Sequence, residues 1–455
     1  MKLMLEMHLI YIIFIYSVFT FWSLYGIINN VRKYHSITIM SLCKLMYIIT
    51  LAIVPIITYG VYLRGNNVST LSYDERDVWT LYVIAVYTVI AYIMFIFGYK
   101  IKQRQYQEKY GSNQSEIIVL ITILMIISIV SLILWSSGFG GINQLLINAN
   151  SVRAGFITSL GNKAFFKHFV PMAMIVSFLT FNYLFIDKAD NSTQEKVYVW
   201  VSFLISIIIS VLFILANDGR MLAGVYVGLF FLLVIKNDYE VKQKSLKSIV
   251  LKMLVLSALA LVVIINADEI FRIMKGEKVI VAATTDSEKD IFSSIAYEFS
   301  FTLTGAQEAI LSHARGYGNY TLWNDIVNGI FAWLPTSIKP VMLTDVWDYN
   351  TSLLNTGVYG QAPTSMIAQS IYDLGMFGIL FIPCVYGVVV RKIEKILTSY
   401  KNNLFASTIY IVLGFYLAKG ITYFSLYNIM MNVFFIVVAC IVYKSLQKIR
   451  IGGSK

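Results

Sequence analysis

Long apolar segments alternate with short polar ones along almost the whole chain. A helix needs about 20 apolar residues to cross the hydrocarbon core of a bilayer, and eleven segments reach or approach that length. We predict transmembrane helices over residues 8–29, 39–62, 79–99, 117–135, 164–186, 197–215, 221–235, 249–266, 364–390, 404–419 and 426–443. The pattern therefore predicts an all-α, polytopic integral membrane protein.

One polar segment, residues 267–363, is far longer than the other connections. Loops of more than about 12–15 residues without secondary structure of their own are usually functional or disordered. Two parts of this segment are apolar at helical spacing, and we predict that both form helices lying in the membrane interface. The first contains Ile291, Ile295, Phe299, Leu303, Ala306 and Ile310, and the second runs from Ile326 to Leu343, broken by Pro335 and Pro340.

The chain therefore divides into an N-terminal transmembrane bundle (1–266), a large loop (267–363) and C-terminal transmembrane helices (364–455). The first apolar segment has no signal-peptide cleavage site after it, so we expect it to be retained as a helix.

The composition fits a membrane protein and excludes several other classes. Of the 455 residues, 58% are hydrophobic and 13% are charged, whereas soluble domains carry about 25% charged residues. The net charge of +11 does not indicate a nucleic-acid partner, because most lysines and arginines stand in short loops beside apolar segments. The three cysteines form no Cys-x-x-Cys pair and have no metal-ligand spacing, which predicts neither a disulfide nor a zinc site.

The positions of the basic residues predict the orientation. Placing the first connection in the cytoplasm puts more than half of the 36 lysines and arginines in inner loops and in the C-terminal tail. The amino terminus and the loop 267–363 are then outside, and the carboxyl terminus is inside. Trp79 and Trp135 fall at outer ends of helices, where an interfacial aromatic belt would place them. The connection after the fourth helix, the turn after the sixth and the long loop all open on this outer side.

Several basic residues on the predicted outer side are candidate ligands of a pyrophosphate-linked lipid. Arg220 ends the turn Asn217-Asp218-Gly219-Arg220 between two apolar segments, where its guanidinium could fork onto phosphate oxygens. The alternative is an ordinary hairpin turn whose arginine reaches the lipid headgroups. The remaining candidates are Arg153, Arg272, Arg315 and Lys339, each of which could also be a simple headgroup contact.

Two residues of the long loop are candidate catalytic bases. Glu298 lies on the apolar helical stripe, where burial would make a carboxylate more basic. His313 titrates near neutral pH and stands two residues before Arg315, so an extended backbone would point both side chains the same way. A solvated loop histidine is the competing interpretation. Asp268, Glu269 and Asp345 are further outer carboxylates, and none of these groups has metal-ligand spacing, so we expect neither a metal nor a cofactor.

Three motifs, in this order, resemble the O-antigen polymerases, the Wzy-type polymerases of oligosaccharide repeat units. Asp218-Gly219-Arg220 matches the Gly-Arg turn at a helix end in that family. Leu334-Pro335-Thr336-Ser337-Ile338-Lys339-Pro340 matches the loop pattern of spaced prolines with a basic residue. Pro363-Thr364-Ser365, followed by Gly375-Met376-Phe377-Gly378, matches the opening of the next helix.

The resemblance implies a glycosyltransferase that polymerises undecaprenyl-pyrophosphate-linked repeats for O-antigen or a related surface polysaccharide. Donor and acceptor would both be lipid-linked oligosaccharides, and a chain-length regulator would be a protein partner. The location would be the bacterial cytoplasmic (inner) membrane, among its lipids, with the active site facing the periplasm. The chemistry needs cations for the leaving pyrophosphate and a base for the attacking hydroxyl, so it can proceed without a metal.

Two alternatives remain open at this point. An O-antigen ligase uses the same kind of donor and has a similar layout, and the motifs do not separate it from a polymerase. A polysaccharide flippase or another transporter would favour inverted repeats and broken helices near the middle of the membrane. The sequence contains no recognisable internal repeat, and its unusual residues gather on one side.

Overall fold

The fold is described from a computed structural model of the chain. It describes residues 2–65, 77–103, 106–107, 109–110, 114–153, 156–186, 192–217, 219–245, 248, 251–252, 255, 291–335, 338–339, 343–354, 361–401 and 403–453. Helices dominate these residues, as the hydrophobic pattern predicts.

Within the described residues, the N-terminal half contains ten α-helices and three short segments of other helical type. The α-helices are α1 (Lys2–Tyr34), α2 (Ile39–Ile48), α3 (Val54–Leu63), α4 (Val78–Lys100), α5 (Gln114–Ser137), α6 (Ile142–Ile147), α7 (Ala149–Arg153), α8 (Met172–Phe181), α9 (Thr193–Ala216) and α10 (Arg220–Glu240). A π-helical segment (Ile49–Ile53) joins α2 to α3, a second one (Asn182–Ile186) extends α8, and a 3-10 helix (Gly161–His168) precedes α8.

The C-terminal half contains eight further α-helices within the described residues. They are α11 (Ile291–Phe299), α12 (Phe301–Ala314), α13 (Leu322–Ile330), α14 (Val346–Leu354), α15 (Met366–Leu374), α16 (Gly378–Thr398), α17 (Leu404–Thr422) and α18 (Leu426–Gly453). A 3-10 turn (Gly375–Phe377) joins α15 to α16.

By length and composition, ten segments of the described chain can cross a membrane. They are Met4–Lys33, Ile39–Leu63, Val78–Lys100, Ser115–Ser137, Lys163–Ile186, Thr193–Ala216, Met221–Glu240, Met366–Thr398, Leu404–Thr422 and Leu426–Lys448. These correspond to ten of the eleven predicted helices, so the prediction of a helical, multi-pass membrane protein is confirmed. The predicted eighth helix, 249–266, lies outside the described residues except for residues 251, 252 and 255.

The predicted ninth helix is interrupted and is longer than expected. Ser365 caps the start of α15, and its side chain accepts a hydrogen bond from the backbone N–H of Ala368 at 3.4 Å. Gly375 then adopts a φ of +63°, a conformation that favours glycine, and ends this helix before α16 begins. The helix continues past the predicted end at 390 to Thr398, because its charged last turns can stay helical beyond the apolar region.

Helices α4 and α16 pack with their backbones in close contact. A Cβ atom on Gly98 would lie 1.9 Å from the carbonyl oxygen of Cys384, and one on Gly387 would lie 2.2 Å from that of Phe95. Small residues permit this close approach of membrane helices, which gain little from the hydrophobic effect within lipid. The two glycines therefore allow α4, in the first half of the chain, to pack directly against α16, in the second half.

Helix α12 of the long loop is an internal helix. Leu303, Ala306 and Ile310 are buried, as the helical spacing predicts, but all the residues between them except Glu308 are buried too. Gln307, for example, donates a hydrogen bond to the Thr80 hydroxyl on α4 at 3.0 Å. A helix lying in the membrane interface would leave one face to lipid or water. The prediction of an interfacial helix is therefore wrong for this part of the loop, because its polar positions also find protein partners.

Contacts between the ends of helices agree with the predicted alternation of sides. On the predicted outer side, the Arg315 guanidinium of the long loop lies 3.0 Å from the Asp77 carboxylate at the start of α4. On the predicted inner side, the Glu240 carboxylate at the end of α10 accepts a hydrogen bond of 2.9 Å from the backbone N–H of Ile37. Two-residue strands, Lys109–Tyr110 and Tyr400–Lys401, also pair in parallel on this inner side.

Candidate functional site

A cleft of about 130 Å³ opens between three segments that are far apart in the sequence. The end of the 3-10 helix before α8 forms one wall, the turn after α13 with Lys339 forms the second, and the first turns of α18 form the third. All three belong to ends that the charge pattern places outside. We call it the Lys339 cleft, and it is lined by Ala164, Phe165, His168, Ala332, Trp333, Leu334, Pro335, Lys339, Tyr427, Met431 and Phe434.

Basic side chains and aromatic rings give the Lys339 cleft its chemistry. The Lys339 ammonium lies 4.9 Å from the centre of the Tyr427 ring, within cation–π range. His168 lies on another wall, with its ring centre 6.3 Å from that of Phe434. No carboxylate is among the residues that line the cleft. Burial lowers the pKa of Lys339, so an anion placed in the cleft would favour its charged form.

A second lysine stands next to His168. The Lys167 ammonium lies 5.8 Å from the ring centre of Trp135. Trp135 is itself buried, in contact with Phe139 and Phe213. Its predicted place in an exposed aromatic belt is therefore wrong, since the segment after α5 folds over it. The same segment carries His168, which lines the cleft, and Lys167 directly before it.

Contacts between α13 and α18 fix the wall that carries Lys339. The Asp325 carboxylate accepts hydrogen bonds from the backbone N–H of Leu426 at 3.0 Å and from the Ser425 hydroxyl at 3.1 Å. A carboxylate at this position stabilises the start of a helix. The Trp333 indole donates to the carbonyl oxygen of Met430 at 2.8 Å. The cleft therefore lies between elements whose relative position is set by buried polar contacts.

His313 is held with one basic ring nitrogen unpaired. Its Nδ1 atom lies 2.9 Å from the carbonyl oxygen of Ala309. Because a carbonyl can only accept, Nδ1 carries the proton and Nε2 keeps its lone pair. Nε2 is buried and has no hydrogen-bond partner among the residues that the structure describes. The rings of Tyr320 and Tyr372 stand 5.3 and 6.5 Å from the imidazole, so this nitrogen sits in a largely aromatic environment.

His313 and Arg315 do not point the same way, and the prediction that they do is wrong. It assumed an extended backbone, but His313 belongs to α12, which continues to Ala314. Two residues along a helix differ by about 200° in direction. His313 accordingly faces Tyr320, whereas Arg315 forms its ion pair with Asp77.

Glu298 is exposed, and the prediction of a buried, more basic carboxylate is wrong. It lies on α11, whose buried position is Ala296. Glu298 follows two residues later and therefore projects from nearly the opposite face of the helix. The periodic pattern gave the helix but misjudged which edge of its apolar stripe meets the protein.

The predicted arginines fall at different places. Arg153 is the last residue of α7 and Arg220 the first of α10, but the structure does not describe either side chain. Arg272 lies outside the described residues altogether. Arg315 is paired with Asp77 and does not line the Lys339 cleft. Of the five candidate phosphate ligands, Lys339 is thus the one that the described residues place in a cleft.

Two buried aspartates near the site escaped the sequence analysis. Asp325 caps α18, and Asp373 accepts a hydrogen bond from the Thr321 hydroxyl at 2.9 Å. Burial raises the pKa of Asp325, only partly offset by its hydrogen bonds to the start of α18. No signal in the sequence marks them, because a single aspartate near a polar segment is usually solvated.

Ten apolar segments of spanning length and a basic, aromatic cleft at their ends define a multi-pass helical membrane protein with a candidate anion site. No protein-family profile matches the chain, and comparisons with curated proteins and with solved structures find no match either.

Proposed function

We propose that the protein is a metal-independent glycosyltransferase that polymerises undecaprenyl-pyrophosphate-linked oligosaccharide repeats at the outer face of the bacterial inner membrane. The observation that carries the proposal is the Lys339 cleft. Leu334, Pro335 and Lys339 of the motif that resembles the O-antigen polymerases all line it. A motif that was matched on sequence alone therefore contributes directly to the basic cleft.

The Lys339 cleft has the chemistry that a lipid pyrophosphate needs. Its cations lie at the end of membrane-spanning segments, where the phosphates of a lipid carrier would be, and its rings offer apolar contacts beside them. In the proposed reaction the acceptor hydroxyl attacks the anomeric carbon of the donor sugar. The bond from that carbon to the pyrophosphate oxygen breaks, Lys339 stabilises the charge on the leaving group, and the imidazole of His168 can donate a hydrogen bond to it.

His313 is the proposed general base. Nε2 of His313 is buried and His313 does not line the Lys339 cleft, so substrate binding would have to uncover this nitrogen before it takes the proton of the attacking hydroxyl. The Ala309 carbonyl holds the opposite nitrogen protonated and fixes the ring. The bound proton would then leave to water with the departing product. Glu298 was the second candidate on sequence grounds, slightly behind His313, and its exposure gives it no comparable environment.

The direct test is product formation in a defined system. The purified protein in liposomes, supplied with undecaprenyl-pyrophosphate-linked repeats as the only sugar substrate, should convert them into a ladder of longer lipid-linked chains. A ladder requires that one repeat act as donor and another as acceptor. Unchanged single repeats under conditions that keep the protein folded would overturn the proposal.

A second arm separates the ligase from the polymerase, because both would use the same basic cleft. The same liposomes are supplied with a lipid A–core acceptor. Transfer of single repeats to that acceptor, without a ladder on the carrier, identifies a ligase. Movement of intact lipid-linked repeats across the bilayer, without new glycosidic bonds, identifies a flippase. In cells, loss of a polymerase leaves single repeats attached to the core, whereas loss of a ligase leaves none.

A further inference from the structure

The structure contains a second cleft, of about 340 Å³. The charge pattern places the helix ends around it on the inner side, opposite to those around the Lys339 cleft. The second cleft lies beside the end of α4 and the last turns of α16, and both helices belong to segments that can cross a membrane, Val78–Lys100 and Met366–Thr398. We call it the Arg391 cleft, and it is lined by Tyr99, Lys100, Ile101, Lys102, Arg391 and Lys395. Four of these six residues are basic and none is acidic, so the cleft is a concentrated region of positive charge.

Two of the four basic residues of the Arg391 cleft already form contacts with other parts of the protein. Arg391 donates a hydrogen bond to the Tyr99 hydroxyl at 3.0 Å and lies over the ring of the same tyrosine. Lys395 donates to the carbonyl oxygen of Gln103 at 2.9 Å. Within the described part of the chain, Lys100 and Lys102 form neither an ion pair nor a side-chain hydrogen bond. Two of the four cations therefore have no partner among the described residues and can take a ligand.

One buried carboxylate lies behind the cleft and offsets part of its charge. Glu394 accepts hydrogen bonds from the hydroxyls of Tyr99 and Tyr410, the latter at 2.8 Å. It also accepts a hydrogen bond of 3.2 Å from the backbone N–H of Ile39. Glu394 is buried and thus balances Arg391 through Tyr99. The charges of Lys100 and Lys102 have no such partner among the described residues.

The two helices that form the Arg391 cleft also carry exposed apolar stripes leading to it. On α4 the exposed residues Ile93 and Phe97 are four positions apart, and the exposed Ile101, which directly follows the helix, lines the cleft itself. On α16 the exposed residues Phe381, Val385 and Val389 recur in the same way and end two residues before Arg391. Residues four apart share one face of a helix. Each stripe is therefore a surface for acyl chains that ends at a cluster of cations.

We propose that the Arg391 cleft binds the headgroup of an anionic phospholipid. Its phosphodiester would lie between Lys100, Lys102 and Arg391, and its acyl chains would lie along the exposed stripes of α4 and α16. A basic pocket between membrane helices has the chemistry that recognises anionic headgroups. The assignment is independent of the proposed polymerase activity, because it uses other residues at the other ends of the helices.

The test measures lipid binding to the full-length protein in nanodiscs. Spin-labelled phosphatidylglycerol and phosphatidylcholine are compared for the wild type, the double variant Lys100→Gln/Lys102→Gln and the control Lys392→Gln. Lys392 is exposed on the same helix, directly after Arg391, and does not line the cleft. Each basic residue near the surface contributes on the order of 1 kcal/mol to binding an anionic lipid, so the double variant should lower the preference for phosphatidylglycerol about 10- to 30-fold. The control should keep the wild-type preference.

Several outcomes would overturn the proposal. A wild type that does not distinguish the two lipids, or a control that loses as much preference as the double variant, would remove the site. Displacement of phosphatidylglycerol by millimolar inorganic phosphate would assign the cleft to a soluble phosphate instead of a lipid. If the double variant does not fold, Lys102→Gln alone serves, since Lys102 lies beyond the end of α4. Its expected loss is about fivefold.

Discussion

The ammonium group of Lys339 lies 4.9 Å from the centre of the Tyr427 ring. This contact joins a turn of the long loop to the first turn of α18. The two residues are 88 positions apart in the sequence, and their contact forms a corner of the Lys339 cleft. The burial that lowers the pKa of Lys339 is tolerated because the ring face partly replaces water around the cation.

We expect Lys339→Ala to lower the rate of polymer formation by about 10- to 100-fold. A hydrogen bond to a charged group contributes about 1.5–3 kcal/mol, and each 1.4 kcal/mol corresponds to a factor of ten. Lys163→Ala is the matched control, because Lys163 is an exposed lysine on the 3-10 helix that does not line the cleft. Initial rates with lipid-linked repeats measure the effect. Equal rates for both variants would remove Lys339 from the donor site.

We expect His313→Ala to lower the rate by about 10²–10⁴-fold, the usual contribution of a general base. Glu298→Gln should keep the wild-type rate, because Glu298 is exposed. Rates of both variants are measured across pH, and only His313→Ala should lower them. Wild-type profiles for both variants would favour catalysis assisted by the substrate itself.

A third variant tests the position of His313 without removing it. A Cβ atom on Gly318 would lie 2.7 Å from Nδ1 of His313, so Gly318→Ala should displace the imidazole and slow polymerisation. Gly224→Ala is the control, since a Cβ there meets nothing within 4 Å. An unchanged rate in Gly318→Ala, with the protein folded, would show that the position of the ring does not matter.

Both Gly98→Ala and Gly387→Ala should destabilise the protein. The added Cβ would overlap a backbone carbonyl of the opposite helix, and overpacking of this kind costs about 1–3 kcal/mol. Thermal unfolding in detergent should therefore show a lower midpoint for both, whereas Gly26→Ala on α1 has open space and should not lower it. Unchanged midpoints would contradict the close packing of α4 and α16.

Asp345→Asn should stabilise the protein at pH 7.5. Burial and, next, the charge of Asp325 raise the pKa of Asp345 from 3.8 to about 6. Its two carboxylate oxygens are buried and accept no well-formed hydrogen bond from the described residues. The folded state thus binds the proton more tightly than the unfolded chain, and the resulting stability is present below about pH 4 and lost as pH rises through about 6.

The increase in the free energy of unfolding of Asp345→Asn at pH 7.5 should reach up to about 3 kcal/mol, and this increase should vanish below about pH 4. Asparagine caps a helix as well as aspartate does, so the start of α14 should be preserved. Unfolding midpoints at several pH values measure it, with the exposed Glu298→Gln as the control. A destabilised Asp345→Asn at pH 7.5 would show that the carboxylate has an ionic partner.

Polymerisation should continue in the presence of a metal chelator. The described residues contain no group of three or more histidine, cysteine, aspartate or glutamate side chains placed to hold an ion. The proposed chemistry relies on Lys339 for charge stabilisation. Rates with and without excess EDTA test it, and a loss that added magnesium restores would assign that task to a metal.

The spans could be predicted from sequence because each requires a long apolar run, and such runs are hard to confuse with anything else. The ends were less predictable. α16 extends to Thr398 through charged turns that apolarity does not detect. Trp135 satisfies the rule for an interfacial aromatic residue, yet the following segment buries it. Which of two helix faces meets the protein depends on tertiary contacts, and this is why Glu298 was misjudged.

The site was predictable in its charge and not in its geometry. Lys339 was singled out because it is a basic residue in a proline-containing motif on the predicted outer side. Its neighbours in the cleft, Phe434 and Tyr427, belong to an apolar span and carry no signal of their own. The prediction that His313 and Arg315 point the same way was wrong for a local reason. Side chains two residues apart lie on one face of a strand but on nearly opposite faces of a helix.

The burial of α12 determines which part of the long loop could be exchanged for a segment of another protein. Its residues from Thr302 to Ser312 are part of the bundle interior, with Gln307 bonded to α4 and Ser365 donating to the carbonyl oxygen of Thr302. A chimera that exchanges the whole loop 267–363 would therefore remove part of the scaffold and should misassemble. A junction placed after Arg315 keeps that scaffold intact, so substrate preference should be transferable through the following segment alone.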